Sequence, residues 1–263
     1  MPFPDLDLRL AAAQAVVREA GELGQRYYRK RETLPVTRKG AQDLVSEADV
    51  ACEDLIVSRL ARLFPDDGFL GEEGGVRLGG GEAVWVIDPI DGTHNFLTGV
   101  PFWCVSLALV VAGEAVLGLI YHPAEDELFS AQSGGGASLN GVPIRVSGLT
   151  ALTEARIGIG FSYRRPVANH ARTVEALLTA GCEYCRLGSG ALGLAYTAAG
   201  RFDGYWEHHT NAWDAAAGLV LVREAGGWTN DFLAGDGLAK GNQILAATPD
   251  LVDELAKLTL QPG

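Results

Sequence analysis

The most informative segment of the chain reads Trp85-Val86-Ile87-Asp88-Pro89-Ile90-Asp91-Gly92-Thr93-His94-Asn95-Phe96. An apolar strand is predicted to end at Asp88, because Pro89 has no N–H to donate to a further ladder hydrogen bond. Asp91 follows closely, and Gly92-Thr93 begin a short helical turn. Carboxylates at the end of a buried strand can converge on hard cations, and the amides of Gly92 and Thr93 can bind an anion. Alone, the segment equally fits an Asp turn followed by an Asp-Gly turn that Thr93 caps.

Two acidic segments precede it. Glu72 follows an apolar strand in the run Phe69-Leu70-Gly71-Glu72-Glu73-Gly74-Gly75, where a hairpin turn would favour glycine or asparagine. A solvated loop charge is also an ordinary explanation of Glu72 taken alone. Asp49 stands three residues after Ser46 in the run Asp43-Leu44-Val45-Ser46-Glu47-Ala48-Asp49. That spacing fits a helix start with an acid in its first turn.

A fourth segment leads into an apolar helix and reads Trp206-Glu207-His208-His209-Thr210-Asn211-Ala212-Trp213-Asp214-Ala215-Ala216-Ala217-Gly218. Asp214 is predicted in the first turn of that helix, where the macrodipole alone would favour an acid. Glu207 fits either hydrogen bonds to neighbouring hydroxyls of a substrate or an exposed charge at a strand end. His208 and His209 are adjacent and point in different directions, so we interpret them as structural or substrate-facing.

The remaining pattern predicts two halves, residues 1–149 and 150–263. In the first, an amphipathic helix spans residues 7–30, with Leu8, Ala11, Ala15, Ala20 and Leu23 as candidate buried positions. A second helix spans 47–64, and short apolar stretches then indicate a mostly antiparallel sheet with hairpin turns at 113–114 and 140–141. After residue 150, strands alternate with helices, which indicates sheets with helices packed on both sides.

Composition limits the possible partners. The chain has 263 residues, 48% of them hydrophobic, and its net charge is −12, which is typical of a globular protein without a nucleic-acid-binding or membrane-binding basic face. Its first residues are acidic where a signal peptide would be basic, and its longest apolar run, 107–112, is far shorter than the ~17–25 residues of a spanning helix. We therefore expect a cytoplasmic protein.

The four cysteines, Cys52, Cys104, Cys182 and Cys185, are few for this length and do not suggest a disulfide framework. Cys182 and Cys185 have the spacing of a redox motif or of half a zinc site. A zinc site would need a second pair, which the sequence lacks, so we interpret this segment as an ordinary strand.

The acidic segments occur together in the order and spacing of the inositol monophosphatase family, which the chain resembles from Asp43 to Gly227. The matching motifs are Gly71-Glu72-Glu73, Trp85 to Phe96, and Trp213-Asp214-Ala215-Ala216-Ala217-Gly218. The family belongs to a superfamily of metal-dependent, lithium-sensitive phosphatases. The resemblance implies an α/β (α+β) fold, a layered α/β/α/β/α sandwich of the inositol monophosphatase / fructose-1,6-bisphosphatase type, usually assembled as a homodimer.

The resemblance also implies the metal ligands. Glu72, Asp88 and the backbone carbonyl of Ile90 would bind one Mg²⁺, and Asp88, Asp91 and Asp214 would bind a second. A weaker third ion would lie near Glu72, close to the segment 38–40. Oxygen-only ligation favours Mg²⁺ or Mn²⁺ over zinc.

By the same resemblance, Asp49 would bond the Thr93 hydroxyl, and Thr93 with Glu72 would orient the attacking water. The amides of Gly92 and Thr93 would bind the phosphate. Substrate contacts would come from Asp91, from Glu207 and from the recognition loop, Gly188-Ser189-Gly190.

The predicted function is hydrolysis of a small polyol or sugar phosphate, such as inositol 1-monophosphate, by metal-activated water. Histidinol phosphate, a nucleotide 3′-phosphate and fructose bisphosphate stay open as substrates, since Gly190 stands where alanine is common and His94 occupies a variable position. A non-catalytic binding protein on this fold would have lost a metal ligand or the Thr93–Asp49 pair, and all of these residues are present.

Overall fold

Two β-sheets alternate with three layers of helices in the computed structural model, which describes residues 5–34, 36–40 and 43–259, with the backbone alone at 36–40 and 43–45. The helices are α1 (Leu6–Tyr28), α2 (Glu47–Leu63), α3 (Thr93–Thr98), α4 (Val167–Thr179), α5 (Gly190–Ala198), α6 (Ala212–Glu224), α7 (Gly237–Lys240) and α8 (Val252–Thr259). Short 3₁₀ turns cover Arg31–Thr33, Leu152–Glu154 and Pro249–Leu251.

The strands are β1 (Val36–Gly40), β2 (Asp43–Ser46), β3 (Gly68–Gly71), β4 (Gly75–Arg77), β5 (Ala83–Asp91), β6 (Cys104–Val111), β7 (Glu114–His122), β8 (Glu127–Gln132), β9 (Gly136–Leu139), β10 (Val142–Pro143), β11 (Arg156–Ile159), β12 (Glu183–Cys185), β13 (Gly204–Thr210), β14 (Trp228–Thr229) and β15 (Asn242–Ala247). β1 and β2 form a separate antiparallel pair.

The first sheet has the strand order β10-β9-β8-β7-β6-β5-β3-β4. Every neighbouring pair is antiparallel except β3 and β5, so the predicted antiparallel character of this region is confirmed. The hairpin at Asn140-Gly141 has positive φ at both residues, which is the type I′ geometry. The turn between β6 and β7 lies one residue earlier than predicted, at Ala112-Gly113, again with positive φ at both positions.

β5 continues beyond the predicted end at Asp88. It pairs with β6 from Ala83 to Asp91, and its register shifts between Asp88 and Asp91. Pro89 is therefore accommodated in a bulge, where a missing N–H removes no regular ladder bond. The bulge keeps the carboxylates of Asp88 and Asp91 on the same strand.

The outer layer on the first sheet is formed by α1 and α2. The predicted helix is present, and Ala20 is buried as predicted. The other predicted positions were wrong, since Leu8, Ala11 and Ala15 are exposed and Leu23 is half-buried. The buried positions are Ala13, Val16, Val17, Ala20, Gly21 and Gly24. Gly21 and Gly24 are on this face because Tyr121 and Trp103 occupy the space that a Cβ would need. A pattern read from large apolar residues misses a face built on glycine and alanine.

The second sheet has the order β12-β11-β13-β15-β14 and mixes parallel and antiparallel pairs. α5 and α6 lie between the two sheets, and α4 and α8 cover the far side. Every residue of α6 from Ala215 to Val222 is buried, as expected for a helix in a middle layer. It lies so close to β7 that a Cβ at Gly118 would stand 2.2 Å from the carbonyl oxygen of Ala217.

This arrangement is the predicted α/β/α/β/α layering. The central core joins residues on both sides of position 150, for example Val86, Ile120 and Phe129 with Leu192, Leu219 and Ile244. All four cysteines are free thiols, and Cys185 ends β12 as an ordinary strand residue. None of the helices in the described ranges is both long enough and apolar enough to cross a membrane.

Candidate metal centre

Three aspartates converge between the first sheet and α6. Asp88, Asp91 and Asp214 each present a carboxylate oxygen within 4.8 Å of the other two. Side chains alternate along a strand, and Trp85 and Ile87 of β5 pack toward α1 and α2. Val86 and Asp88 therefore face the middle layer, where Asp214 lies in the first turn of α6.

Asp91 is fixed by the start of α5. Its Oδ2 accepts hydrogen bonds from the Ser189 hydroxyl at 2.5 Å and from the Ala191 amide at 2.7 Å. Ser189 is buried and also caps α5 by accepting from the Leu192 amide at 3.2 Å. The pKa of Asp91 is raised to about 7, mainly by burial and secondly by the negative charge of Asp214. The hydrogen bond from Ser189 acts in the opposite direction and lowers this pKa.

Asp214 is oriented by the residues that begin its own helix. Its Oδ2 accepts from the Thr210 hydroxyl at 2.6 Å and from the Asn211 amide at 3.0 Å, which is the capping-box arrangement. Asp214 thus lies in the first turn of α6, as predicted, and its carboxylate also reaches the cluster. The helix-start interpretation and the metal interpretation of Asp214 are compatible.

Glu72 lies in the turn after β3. Its amide donates to the Ile87 carbonyl at 3.2 Å, which ties the turn to β5 immediately before Asp88. The pKa of Glu72 is raised well above its ordinary value, mainly by burial and secondly by the negative charge of Asp214. The pKa of Asp88 is likewise raised, mainly by burial and then by the negative charges of Glu72, Asp91 and Asp214. The four carboxyl groups therefore repel one another in a region with little water.

The residues present fit a hard divalent cation. Among the side chains that the structure describes, which do not include Arg38 and Lys39, no Lys or Arg forms an ion pair with Glu72, Asp88, Asp91 or Asp214. Asp88 and Asp91 are buried, and Glu72 and Asp214 are half-buried. Burying carboxylates without a cationic partner is costly, and such groups persist chiefly at functional sites. The donor set consists of oxygen atoms, which suits Mg²⁺ or Mn²⁺.

Thr93 and Asp49 lie at one side of the cluster. The Thr93 hydroxyl is 3.1 Å from the Ile90 carbonyl oxygen and 3.5 Å from Asp49 Oδ1, a long contact. Asp49 is buried and is held by the amide and hydroxyl of Ser46 at 2.8 and 2.7 Å. Burial raises the pKa of Asp49 to about 6, so it is mostly ionised at neutral pH.

Gly92 begins α3 with φ of 98°, in the left-handed region. A Cβ at this position would lie 2.9 Å from the Phe102 carbonyl oxygen. Glycine is therefore required both by the backbone angle and by the close approach of the neighbouring chain.

The recognition loop lies beside Glu207. Glu207 is buried, and its Oε2 accepts from the Tyr205 hydroxyl at 2.9 Å, so the interpretation as an exposed strand-end charge is wrong. The pKa of Glu207 is raised to about 8, mainly by burial and secondly by the negative charge of Asp214. A Cβ at Gly190 would lie 3.2 Å from the Tyr205 hydroxyl oxygen, so a side chain here would press on the Tyr205–Glu207 pair.

The three histidines of the motif regions differ in position. His94 is exposed on α3. His208 Nε2 lies 3.1 Å from the Thr173 hydroxyl of α4, and its ring packs on Trp206. His209 Nδ1 lies 3.4 Å from Arg164 Nη1. His208 and His209 thus point in different directions, as the sequence predicted.

Two residues that shape the site were not singled out in the sequence. Glu53 accepts from the Glu73 amide at 3.0 Å and from the Gly74 amide at 2.6 Å, and so holds the turn that carries Glu72. Its signal was present, because Glu53 follows Asp49 by four residues and shares its face of α2. Asn95 donates to the carbonyls of Phe102 and Leu187 at 2.7 and 2.8 Å. No sequence spacing predicts that tertiary bridge.

Comparisons with known proteins agree with this geometry. The model of the inositol monophosphatase family matches residues 5–261. The inositol-1-monophosphatase of Rhizobium meliloti is 41% identical over 255 residues, covering 95% of this chain and 92% of that protein. Nus factor SuhB of Xylella fastidiosa is 44% identical over 238 residues, covering 90% and 85%. The crystal structure of extragenic suppressor protein suhB from Bartonella henselae superposes with a TM-score of 0.92 at 36% identity, covering 97% of this chain and 100% of that chain.

Proposed function

Since the chain belongs to the inositol monophosphatase family and is a phosphomonoesterase, we propose that it hydrolyses a small polyol or sugar phosphate of the inositol 1-monophosphate type with Mg²⁺ as cofactor. The observation that carries this proposal is the convergence of Asp88, Asp91 and Asp214, which each present a carboxylate oxygen within 4.8 Å of the other two. The SuhB name of other relatives leaves the physiological substrate open.

The proposed ligands follow the family motifs. Glu72, Asp88 and the Ile90 carbonyl would hold one ion, and Asp88, Asp91 and Asp214 a second. Bound Mg²⁺ would supply positive charge to the phosphate oxygens and lower the pKa of water. Mn²⁺ satisfies the same oxygen donors. A third ion near Glu72 would lie beside residues 38–40, whose side chains are outside the described part of the structure.

The chain's own groups would orient the reactants. Asp49 would accept a hydrogen bond from the Thr93 hydroxyl, which would leave the Thr93 oxygen free to accept one from the attacking water. Glu72 would accept the second proton of that water. The amides of Gly92 and Thr93 would donate to phosphate oxygens. The long Asp49–Thr93 contact of 3.5 Å is expected to shorten when substrate is bound.

The leaving group would contact the second half of the chain. Glu207, whose pKa is raised to about 8, can accept or donate a hydrogen bond to a hydroxyl. Asp91 and the recognition loop would complete this side. Histidinol phosphate, a nucleotide 3′-phosphate and fructose bisphosphate are alternative substrates with the same chemistry.

We also propose a cytoplasmic homodimer without nucleic-acid or membrane partners. The net charge of −12 supports the absence of nucleic-acid and membrane partners, since such a surface repels phosphate-rich polymers and anionic lipids. Sedimentation equilibrium tests the assembly, because a monomer at micromolar concentration would contradict it.

A phosphate-release screen tests the function. Inositol 1-monophosphate, histidinol phosphate, a nucleotide 3′-phosphate and fructose 1,6-bisphosphate are each supplied with Mg²⁺ and with a chelator. We expect turnover only with Mg²⁺, fastest on the inositol ester, and inhibition by Li⁺ at saturating Mg²⁺. Equal rates in the chelator would refute metal dependence, and a faster rate on another ester would replace the substrate but not the chemistry.

A further inference from the structure

A buried carboxylate outside the proposed ligand set supports the turn that carries Glu72. Glu53 lies one helical turn after Asp49 on α2 and is 5% exposed. Its Oε2 accepts from the Glu73 amide at 3.0 Å, and its Oε1 accepts from the Gly74 amide at 2.6 Å. Each oxygen is thus used by one backbone donor of the Glu72–Gly74 turn.

The turn sequence is adapted to this carboxylate. A Cβ at Gly71 would lie 2.4 Å from the Glu53 carboxyl carbon, and a Cβ at Gly74 would lie 2.6 Å from Oε1. Glycine at both positions therefore leaves space for the carboxylate to reach the two amides. The turn is also held by the pairing of Gly71 with Gly75 in the β3–β4 hairpin and by a bond from the Glu72 amide to the Ile87 carbonyl.

We propose that Glu53 is a positioning residue for the metal centre, which fixes the Glu72 turn in a ligand-ready conformation before the metal binds. This inference rests on the proposed role of Glu72 as a metal ligand. Glu53 itself lies outside the cluster of Asp88, Asp91 and Asp214, and each of its oxygens accepts from the turn. Because Glu53 already orders the turn, less conformational entropy is lost when the turn binds the ion.

A carboxylate is required here, and an amide of the same shape does not replace it. Glutamine has one acceptor oxygen, so its NH₂ group would face the second backbone N–H. One of the two turn amides would then lose its acceptor and face the NH₂ group instead. E53Q therefore removes one of the two hydrogen bonds to the turn while it preserves the volume of the side chain.

A matched pair of variants, E53Q and D54N, tests the inference. E53Q should weaken Mn²⁺ and Mg²⁺ binding, measured by isothermal titration calorimetry on metal-free protein, by about 10–100-fold, as for other partners that orient ligands. At saturating metal, kcat and the KM for the phosphate ester should return to within about twofold of the wild type. D54N is the matched control, since it removes the same charge from the neighbouring, exposed position of α2 and should leave metal affinity unchanged.

G71A provides a test that keeps Glu53 in place. Its Cβ should displace the carboxylate from the turn and weaken metal binding as E53Q does, whereas in an E53A background the same substitution should add little. Equal metal affinity in E53Q and the wild type would overturn the inference, as would fully additive effects of G71A and E53A. Wild-type protein that neither binds Mn²⁺ nor releases phosphate would instead refute the proposed function, so the two failures are distinguishable.

Discussion

At the scale of single residues, Asp88 has the most demanding position. It is fully surrounded by protein, its pKa is raised by burial and by three neighbouring acids, and it would be a ligand of both proposed ions. Removing its charge should relieve repulsion in the metal-free protein and remove a shared ligand from the metal-bound protein.

Asp88→Asn should therefore separate activity from stability. We expect turnover to fall by about a thousandfold, the equivalent of losing ~4 kcal/mol of transition-state stabilisation. The metal-free variant should melt at the same temperature as the wild type or higher. Phosphate release and thermal melts in chelator measure the two effects, and near-normal turnover would refute the assignment of Asp88.

At the residue scale, the sequence singles out Glu72, Asp88, Asp91 and Asp214 because they stand at strand ends and helix starts. The structure brings Asp88, Asp91 and Asp214 together, and their role as metal ligands stays a prediction. Glu207 could not be placed from the sequence, since burial beside Tyr205 depends on packing between β13 and α5. Glu53 was missed because an acid in mid-helix usually faces solvent.

At the scale of elements, the site depends on one irregular strand and one short helix. The bulge in β5 could not be predicted from Pro89, which indicates a strand end as readily as a bulge. Helix positions were predicted well, but the buried face of α1 was not, because it relies on alanine and glycine under Tyr121 and Trp103.

Asn95 links α3 to the chain that leads into α5. Asn95→Asp keeps the shape but replaces the two N–H donors with an acceptor that faces the carbonyls of Phe102 and Leu187. We expect a loss of stability on the order of 2 kcal/mol and a fall in turnover of about tenfold, because the Ser189–Asp91 contact would shift.

Asn169→Asp is the control for this substitution, because its Oδ1 only accepts, from Arg172, and aspartate preserves that bond. Thermal melts and phosphate release compare the two variants. Equal behaviour of both variants would show that the bridge made by Asn95 has no special role.

At the scale of the whole molecule, clustered acids make stability depend on pH. Burial raises the pKa of Asp91 to about 7 and of Glu207 to about 8, from ordinary values of 3.8 and 4.5. The folded, metal-free protein therefore binds more protons than the unfolded chain between about pH 4 and 8. Its free energy of unfolding should fall as the pH rises through that range.

Thermal melts in chelator at pH 5.5 and pH 8 measure this dependence. We expect the lower melting temperature at pH 8, with roughly 2–4 °C lost for each kcal/mol of unfolding free energy lost. Mg²⁺ should raise the melting temperature more at pH 8 than at pH 5.5. A midpoint that rises toward pH 8 in the absence of metal would contradict the raised pKa values.

The same melts report on the two halves of the chain. We propose that residues 1–149 and 150–263 unfold together, since Gly118 of β7 packs directly on Ala217 of α6 and the central core includes both halves. One cooperative transition is expected. Two separate transitions would indicate independent domains.

The most direct test of the account is the anomalous difference map of crystals soaked in Mn²⁺. We predict adjacent peaks in contact with the carboxylates of Asp88, Asp91 and Asp214, one of them also touching Glu72, and the loss of these peaks in Asp88→Asn crystals. Crystals of active protein that show no peak at these four carboxylates would contradict the claim that they form the metal centre.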